Sequence, residues 1–333
     1  MRIYYRCSEY ISYKRTGAEY MACLTALGHT LTNDPVEADL FVLHDEPVNY
    51  AALLRDIPPK PGQKIVGYAV WETPELPKAY IDGVKLVDAV WTCSAFSRAA
   101  FVPYARTFVV PHVVRRAKPS PDDIAWARAR LGMNAEGARP FYFYTIVDTV
   151  NPRKNAEALL TAFAAAFGGR ADTRLVVKQY RKALDLAAVP GVIDIPEMLS
   201  DGRLAALHAV CDAYVSAHHA EAWGLPLSEA LAFGNLVIAT GYSGNMEFMN
   251  ESNSFPVPYI IAPVSPRICG ALPHLYHGGM TWADIDGISL ARIMNRVRSF
   301  VFGSDFRKNA ADSVKPFSSE GVQAILQEVL AAL

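Results

Sequence analysis

Two glutamates in the second half of the chain stand in a context that suits sugar and phosphate chemistry. Glu221 and Glu229 enclose seven residues, and these include Gly-Leu-Pro at 224–226. Proline fits the first turn of a helix and glycine commonly ends one, which predicts a helix from about Pro226 to Gly234. Glu221 then lies in the preceding loop and Glu229 in the first turn. Free N–H groups at such a helix start bind phosphate, while carboxylates accept hydrogen bonds from sugar hydroxyls.

Further groups for binding an anion occur nearby in the sequence. Gly-Tyr-Ser-Gly-Asn at 241–245 follows the apolar run LVIAT and precedes a predicted helix at MEFMN. Successive N–H groups in such a turn form an anion-binding nest. Arg153 and Lys154 follow another apolar run, and Lys178 ends a third. Two phosphate cradles with basic side chains indicate a site for a nucleoside-diphosphate sugar.

The elements that must position these residues follow from the pattern of apolar runs. We expect buried strands at RIYYR, ADLFVLH, QKIVGYAV, DAVWTCS and RTFVVPH, and again at FYFYTIV, LVVK, GVIDI, DAYVSAH and LVIAT. Helical stretches separate them, and such alternation is typical of parallel sheets covered on both faces. The Pro-, Ser- and charge-rich residues 113–123 form the predicted linker. The predicted fold class is α/β, with two Rossmann-like, doubly wound domains that face a central cleft.

Composition excludes several classes of protein. The 333 residues are 51% hydrophobic and 20% charged, and 32 Lys and Arg nearly balance 33 Asp and Glu. Such a balance predicts no nucleic-acid partner and at most peripheral contact with a membrane. No apolar run reaches the roughly 20 residues that cross a bilayer, and no signal peptide is evident. Five cysteines without a CxxC pair indicate neither a disulfide framework nor a zinc site. We therefore expect a cytoplasmic enzyme, with the inner face of the membrane as the one alternative location.

Several segments resemble one family of enzymes. EAWGLPLSE resembles the E-x7-E signature of retaining GT-B glycosyltransferases, in particular glycosyltransferase family 4. PRKNAEALLTAFAAAF resembles the basic loop and first helix of their donor domain, and GYSGN resembles a later loop of that domain. The resemblance extends from about Ile65 to Phe300. It implies an acceptor-side domain at 1–118, a donor domain at 119–304, and C-terminal helices at 305–333 that return to the first domain.

The resemblance also implies roles for individual residues. Glu221, Arg153 and Lys154 would be catalytic, the two cations by neutralising the departing diphosphate, and Glu229 would bind the ribose of the nucleotide. The remaining donor-binding residues would be Gly224, Leu225, Lys178, Ser243, Gly244, Asn245 and His218. No metal is required in such enzymes. The leaving phosphate takes the acceptor proton on the same face of the sugar, so the anomeric configuration is retained.

The acceptor side is less defined by the sequence. Glu72 and His44 follow predicted strands of the first domain, and Gly17 lies in a predicted loop at residues 15–20. We expect these three residues on the acceptor side, with Glu72 as base or hydroxyl ligand. Relatives often carry an arginine six residues before the basic-loop lysine, where this chain has Asp148.

These observations predict a hexosyltransferase. The donor would be a GDP- or UDP-sugar, the acceptor a hydroxyl of a glycan or glycolipid, and the process bacterial surface polysaccharide synthesis. A non-catalytic nucleotide-sugar-binding subunit, a GT-B phosphorylase and an epimerase remain alternatives, because a fold does not determine a function. A glycosidase would leave the phosphate cradles unexplained. A nicotinamide dehydrogenase is disfavoured, because no G-x-G-x-x-G follows a strand.

Overall fold

The computed structural model describes residues 1–133, 139–181, 184–186, 189–300 and 302–333. These residues form two α/β domains, each built on a six-stranded sheet whose neighbouring strands are all parallel. A separate antiparallel pair of strands extends from the second domain. The predicted fold class is confirmed.

The N-terminal domain carries the first sheet, in the order β2-β1-β3-β4-β5-β6. Its strands are β1 (Arg2–Cys7), β2 (Thr30–Thr32), β3 (Leu40–His44), β4 (Lys64–Tyr68), β5 (Ala89–Thr92) and β6 (Thr107–Val109). Its helices are α1 (Ile11–Ala26), α2 (Tyr50–Asp56), α3 (Lys78–Val84) and α4 (Ala95–Phe101). Every residue of β3 and β5 is buried, as the continuous apolar runs predict for strands covered on both faces.

The C-terminal domain carries the second sheet, in the order β12-β11-β10-β7-β8-β9. Its strands are β7 (Phe141–Val147), β8 (Thr173–Gln179), β9 (Val192–Ile195), β10 (Ala213–Ser216), β11 (Leu236–Thr240) and β12 (Phe255–Val257), followed by the antiparallel pair β13 (Tyr259–Pro263) and β14 (Thr281–Ile285). Its helices are α5 (Pro121–Arg130), α6 (Ala156–Phe167), α7 (Asp201–Val210), α8 (Leu225–Ala232), α9 (Pro266–Ala271) and α10 (Gly287–Ser299).

The order of the strands determines where polar loops converge. The chain lays down β7, β8 and β9 in one direction and then returns to place β10 on the other side of β7. Ligands of doubly wound sheets bind at such a reversal, outside the carboxyl ends of the strands. The loops after β7 and β10 are those that contain Arg153, Lys154 and Glu221.

An apolar core runs without interruption from one domain into the other. Trp223, 2% exposed, stands at the boundary, and its ring lies 4.8 Å from that of Phe317 and 6.0 Å from that of His112. His112 belongs to the segment between β6 and α5, and its ring nitrogen Nδ1 lies 2.9 Å from the hydroxyl of Tyr20 in α1. The domain boundary is therefore packed as a core.

The last two helices, α11 (Ser304–Ser313) and α12 (Ser319–Ala331), lead the chain back to the N-terminal domain. Helix α12 packs against α1, where Cys23 Sγ donates to the carbonyl of Ser319. Leu326, a fully buried residue of α12, belongs to the shared core. In the described part of the chain, no helix combines the length and apolar character needed to cross a bilayer.

The predicted loop at residues 15–20 is wrong, because these residues lie inside α1. Gly17 was expected in a loop on the acceptor side, but its lack of a side chain permits close packing inside the helix. A Cβ on Gly17 would lie 2.5 Å from Cys7 Sγ and 3.3 Å from His44 Nδ1. Glycine here lets α1 lie directly on the ends of β1 and β3. The predicted helix at MEFMN is a short 3-10 turn, Gly244–Glu247.

The docking of α12 predicts a strong dependence of stability on its buried face. Leu326→Ala should lower the free energy of unfolding by about 2–5 kcal/mol, because it leaves a cavity in the shared core. Gln327→Ala, at the exposed neighbouring position, should change it by no more than about 0.5 kcal/mol. Urea unfolding measures both, and equal values for the two variants would show that the helix is not docked.

Candidate active site

Three charged side chains meet where the loops after β7 and β10 converge. Arg153 and Lys154 lie in a 3-10 turn, Pro152–Lys154, and Glu221 lies between β10 and α8. A 2.8 Å hydrogen bond from His219 N to Arg153 O joins the two loops. Lys154 Nζ donates to Glu221 Oε1 at 2.5 Å, and Arg153 Nη1 donates to Glu221 Oε2 at 3.2 Å. The fold thus brings together the three residues expected to be catalytic.

The electrostatics of this group favour full ionisation of Glu221. Burial alone would raise the pKa of Glu221, but Lys154 and Arg153 outweigh it and lower that pKa to about 2. Burial lowers the pKa of Lys154 in spite of the adjacent carboxylate. Burial also opposes the charge of Arg153, but Glu72 and Glu221 outweigh it and raise the Arg153 pKa. A buried arginine and a half-buried lysine are therefore held against two carboxylates.

Glu72 supplies the second carboxylate, from the other domain. It follows β4 in the chain, and its Oε1 lies 3.0 Å from Arg153 Nη2. The two side chains are only 16% and 9% exposed. Behind them the ring of Tyr276 stacks on that of Trp71 at 5.1 Å, and the Tyr276 hydroxyl also interacts with Arg153. Glu72 therefore lies in the cleft between the domains, as the sequence predicted.

Glu229 lies on α8 and faces the N-terminal domain. It is the fifth residue of Leu225–Ala232, in the second turn and not in the predicted first turn. Its Oε1 accepts a hydrogen bond from Arg15 of α1, in a second ion pair between the domains. Burial would raise the pKa of Glu229, but the neighbouring His208 and Arg15 side chains outweigh it and lower that pKa.

The start of α8 agrees with the prediction to within one residue. Gly224 precedes the helix with φ of 92°, and Leu225 is its first residue. The N–H groups of Leu227 and Ser228 turn back to the carbonyl of Gly224, at 2.9 and 3.1 Å. These two amides are used within the helix and are not free for a phosphate.

The loop at residues 241–245 braces Glu221 instead of forming the predicted anion nest. Gly244 N donates to the carbonyl of Glu221 at 2.8 Å, and Ser243 Oγ accepts from Glu221 N at 2.7 Å. A Cβ on Gly244 would lie 1.8 Å from the carbonyl oxygen of Ala222, so only glycine permits this approach. The N–H groups of residues 241 and 242 also bond to backbone carbonyls. This loop therefore holds the backbone of the loop that carries Glu221 in place.

His218 and Asn245 lie behind the charged group and extend the same brace. Both are 0% exposed, and His218 Nε2 lies 3.1 Å from Asn245 Oδ1. Asn245 Nδ2 donates to the carbonyl of Thr240 at 3.0 Å, which identifies Oδ1 as the acceptor for the histidine. Burial lowers the pKa of His218 to about 4, so the ring is neutral near pH 7. Both residues position the loop and make no direct contact with the cleft.

Lys178 does not join Arg153 and Lys154. Its side chain is 1% exposed, and its Nζ donates to the carbonyl of Gln179 at 2.6 Å and lies 4.6 Å from the centre of the Tyr180 ring. Burial lowers the pKa of Lys178. A lysine that is enclosed in this way cannot extend to a diphosphate beside Arg153.

His44 and Gly17 do not fit the expected acceptor side. His44 is 0% exposed, its Nδ1 lies 2.8 Å from the hydroxyl of Tyr5, and its ring lies 4.3 Å from that of Tyr68. Burial lowers the pKa of His44 to about 3. Gly17 is enclosed by Cys7 and His44. Because α1 covers the end of β3, both residues are in the core of the domain.

Asp148 is neutralised by a residue outside the site. It accepts from Arg181 Nε at 3.1 Å and also pairs with the Nη2 group of that arginine. Its carboxylate therefore does not act as a free negative charge beside Arg153. Among the described residues, no group of three or more His, Cys, Asp or Glu side chains could hold a metal ion.

Sequence reasoning missed Arg15, Tyr276 and His208 as neighbours of the site. Arg15 belongs to the wrongly predicted loop, and no local pattern distinguishes Tyr276. His208 lies in the predicted helix at residues 201–210, on the side that faces Glu229. Its one sequence signal is a histidine in an otherwise aliphatic stretch, LAALHAV.

Comparison with solved structures agrees with this architecture. The HepE structure from Anabaena in complex with UDP and glucose matches with a TM-score of 0.64 and 15% identity, over 100% of this chain and 99% of that chain. A glycosyltransferase from Rickettsia africae ESF-5 matches with a TM-score of 0.65 and 14% identity, over 98% and 97%. Sucrose-phosphate synthase from Thermosynechococcus elongatus matches with a TM-score of 0.60 and 15% identity, over 94% and 77%.

The chain has the GT-B fold. Residues 138–258, the stretch from β7 to β12, match the family model described as "Glycosyl transferases group 1". No curated protein matches the sequence. The matched stretch contains Arg153, Lys154, Glu221 and Glu229, so the charged side of the GT-B cleft lies within it.

The buried charges predict a specific pH dependence of stability. Because the pKa of Glu221 is lowered from 4.5 to about 2, its ionised form contributes stability that is complete above pH 4.5 and is lost as the pH falls towards 2. Glu221→Gln should be less stable than wild type at pH 7. The difference between the two should shrink by about 1.4 kcal/mol per pH unit below pH 4.

Urea unfolding at pH 7, 4 and 3 measures this difference. The matched control is Glu251→Gln at an exposed position, which should track the wild type at every pH. If the free energies of unfolding of wild type and Glu221→Gln differed by the same amount from pH 7 to pH 3, the pairing of Glu221 with Arg153 and Lys154 would be contradicted.

Proposed function

We propose that this protein is a glycosyltransferase that moves a hexosyl group from a UDP-sugar to a hydroxyl of a glycan or glycolipid, with retention of configuration. The observation that carries the proposal is a pair of cations, the buried Arg153 and the half-buried Lys154, at the strand-order reversal of the donor domain, beside Glu221. A reversal in a doubly wound sheet is where nucleotides bind. The group 1 glycosyltransferase match over the same residues agrees with it.

The choice of UDP rests on a structural neighbour. HepE from Anabaena, whose whole chain aligns with this one, has been solved with UDP and glucose and with UDP-glucose. The cations here suit the diphosphate of such a donor. Arg153 can hold two phosphate oxygens through its planar fork, and Lys154 supplies a point charge where the leaving group becomes more negative.

The glutamates take complementary roles in this proposal. Glu229 accepts hydrogen bonds from the ribose hydroxyls, and Glu221 accepts them from the hydroxyls of the transferred sugar. Glu72 approaches from the opposite domain, on the far side of Arg153. A carboxylate there can orient the attacking acceptor hydroxyl, and it would be the acceptor-side residue.

The acceptor attacks the sugar from the face on which the phosphate leaves, so no nucleophile from the protein is needed. The protons also balance. The acceptor oxygen forms a bond to the anomeric carbon while the bond from that carbon to the phosphate oxygen breaks. The acceptor proton passes to an oxygen of the leaving phosphate. Arg153 and Lys154 stabilise the charge that develops on the leaving diphosphate, which is the main contribution expected of preorganised cations.

The binding of a donor requires the cleft to open. Arg15 holds Glu229, Glu72 holds Arg153, and the cavity beside Glu229 has a volume of about 40 Å³. A nucleoside needs several times that space. Domain movement of this kind accompanies substrate binding in many enzymes. On opening, Glu229 would exchange Arg15 for the ribose, and Arg153 would exchange Glu72 for the diphosphate.

The alternative of an inactive nucleotide-sugar-binding subunit rested on Asp148. Because Arg181 pairs with this aspartate, Asp148 does not place an unpaired negative charge beside Arg153 and is no argument against turnover. Bacterial surface polysaccharide synthesis is the process we propose for the enzyme. The resemblance to glycosyltransferase family 4 is its support.

Nucleotide binding provides the first test. UDP at 100 times its dissociation constant should stabilise the protein by about 2.7 kcal/mol, seen as a rise in Tm, and EDTA should leave the shift unchanged. Glu229→Gln should weaken UDP binding roughly tenfold or more, because it removes a charge-assisted acceptor. Glu328→Gln on the exposed face of α12 is the control. The absence of stabilisation by UDP would reject the proposed donor, and GDP in the same assay tests the other candidate.

The role of Glu72 predicts a separation of binding from turnover. Glu72→Gln should slow UDP release from UDP-glucose, with water or a saccharide as acceptor, by about 10²-fold or more. UDP affinity should be unchanged or higher, because Arg153 loses a competing carboxylate. Glu75→Gln, at a residue paired with His277, should retain activity. Wild-type turnover in Glu72→Gln would exclude Glu72 from the acceptor side.

A further inference from the structure

One buried nitrogen beside Glu229 has no hydrogen-bond partner. His208 is 2% exposed, and its Nε2 is unpaired although it lies 3.8 Å from Glu229 Oε2. The same histidine and glutamate line the cavity of about 40 Å³ that also contacts Arg15 and Asp201. A buried polar atom without a partner is costly in a protein interior, and this one belongs to a residue that lines a cavity, so the pair of observations points to a ligand.

The chemical state of this nitrogen follows from its neighbours. Asn235 Nδ2 donates to the carbonyl of His208 and to the hydroxyl of Tyr144, each at 2.7 Å. The Tyr144 hydroxyl lies 2.6 Å from His208 Nδ1. Since Tyr144 already accepts from Asn235, the arrangement that satisfies every donor has Tyr144 donating to Nδ1. Nδ1 then accepts and carries no hydrogen, so the ring hydrogen is on Nε2.

The opposite tautomer conflicts with the charge of Glu229. It would direct the lone pair of Nε2 towards a carboxylate oxygen 3.8 Å away. That arrangement is repulsive, whereas an N–H group in the same place is attractive. Nε2 is therefore a hydrogen-bond donor that faces an acceptor too distant for a direct bond.

A hydroxyl is the group that fits between these two atoms. An oxygen about 2.9 Å from both Nε2 and Oε2 can accept from the histidine and donate its own hydrogen to the carboxylate. A phosphate would be repelled by Glu229, and an ammonium group could not accept from Nε2. The pair therefore suits a hydroxyl group, which an alcohol can supply by replacing a water molecule in the cavity.

We propose that His208 and Glu229 together form a clamp for a ribose hydroxyl of the donor, with the Asn235–Tyr144 pair holding the imidazole in its donating form. Glu229 Oε2 and His208 Nε2 share the first hydroxyl. The second hydroxyl of the diol donates a hydrogen bond to Glu229 Oε1 once Arg15 has moved away from that oxygen. The inference rests on the proposed function for the identity of the ligand, and it adds His208 as a binding residue.

The binding of UDP, 2′-deoxy-UDP and 3′-deoxy-UDP to three proteins tests the clamp. His208→Leu should bind UDP roughly 5- to 10-fold more weakly than wild type, the worth of one hydrogen bond. It should bind the analogue that lacks the bridging hydroxyl with little change. His208→Gln, whose amide N–H can replace Nε2–H, should recover most of the affinity for UDP.

Two results of this comparison would overturn the clamp. Equal weakening of UDP and both analogues by His208→Leu would indicate a packing role, and no weakening of any would exclude His208 from the site. The affinity of the wild type for UDP tests the proposed function separately. If the wild type does not bind UDP, the proposed function fails; if it binds UDP and His208→Leu binds it equally well, only the clamp fails.

A measurement on the wild type tests the tautomer of His208 without a comparison of affinities. Nitrogen-15 NMR of imidazole-labelled protein, assigned by the signal lost in His208→Gln, reports the tautomer directly. We expect His208 to carry its hydrogen on Nε2 and that signal to shift on addition of UDP. A hydrogen on Nδ1 alone, or an Nε2–H signal that UDP leaves unmoved, would contradict the proposal.

Discussion

The arrangement of the cleft depends on the burial of one guanidinium group. Arg153 lies between Glu221 of its own domain and Glu72 of the other, and its side chain is 9% exposed. A buried charge is tolerated only when it is paired and hydrogen-bonded. Arg153 meets that requirement with two carboxylates and the carbonyl of Ala220, 2.5 Å from Nη1. The two domains, the basic loop and the loop after β10 must therefore all be in place for this cation to be buried.

Much of the surrounding structure supports that requirement. The carbonyl and N–H of Glu221 are bound by Gly244 and Ser243, and the next layer is the contact of His218 with Asn245. The glycine-rich loop thus serves the carboxylate through its backbone. The same residues would place Glu221 in a fixed position towards a sugar, which is the kind of preorganisation that catalysis needs.

The ion pairs between the domains use the charges that a nucleotide sugar would need. Arg15 pairs with Glu229, a carboxylate suited to binding a ribose, and Glu72 pairs with Arg153, a cation suited to binding a diphosphate. Each pair joins side chains from opposite domains, so each contributes to holding the cleft closed. A donor that replaces these partners would find complementary charge already in position. Such exchange would couple the binding of a donor to domain movement.

The sequence by itself determined the elements, while the tertiary structure decided the contacts. Continuous apolar runs predicted strands such as β7 and β10. A strand that is covered on both faces carries apolar side chains on both, so it reads as an unbroken apolar run. Helix α7 was predicted with its observed bounds, and Ser200 caps its first turn. The spacing of Glu221 and Glu229 around Gly-Leu-Pro also located the loop and helix that carry them.

What the sequence could not determine depends on residues far apart along the chain. Arg15 meets Glu229 across 214 positions, and Glu72 meets Arg153 across the domain boundary. His44 is the last residue of β3 and Glu72 lies just after β4, yet α1 covers His44 while Glu72 lies in the cleft. The N–H groups of Gly241, Tyr242 and Gly244 looked free for a phosphate, but in the fold they donate to backbone carbonyls, that of Gly244 to Glu221 in the loop after β10. Hydrogen bonds and burial are properties of the assembled fold, and local pattern carries no information about which distant group will satisfy them.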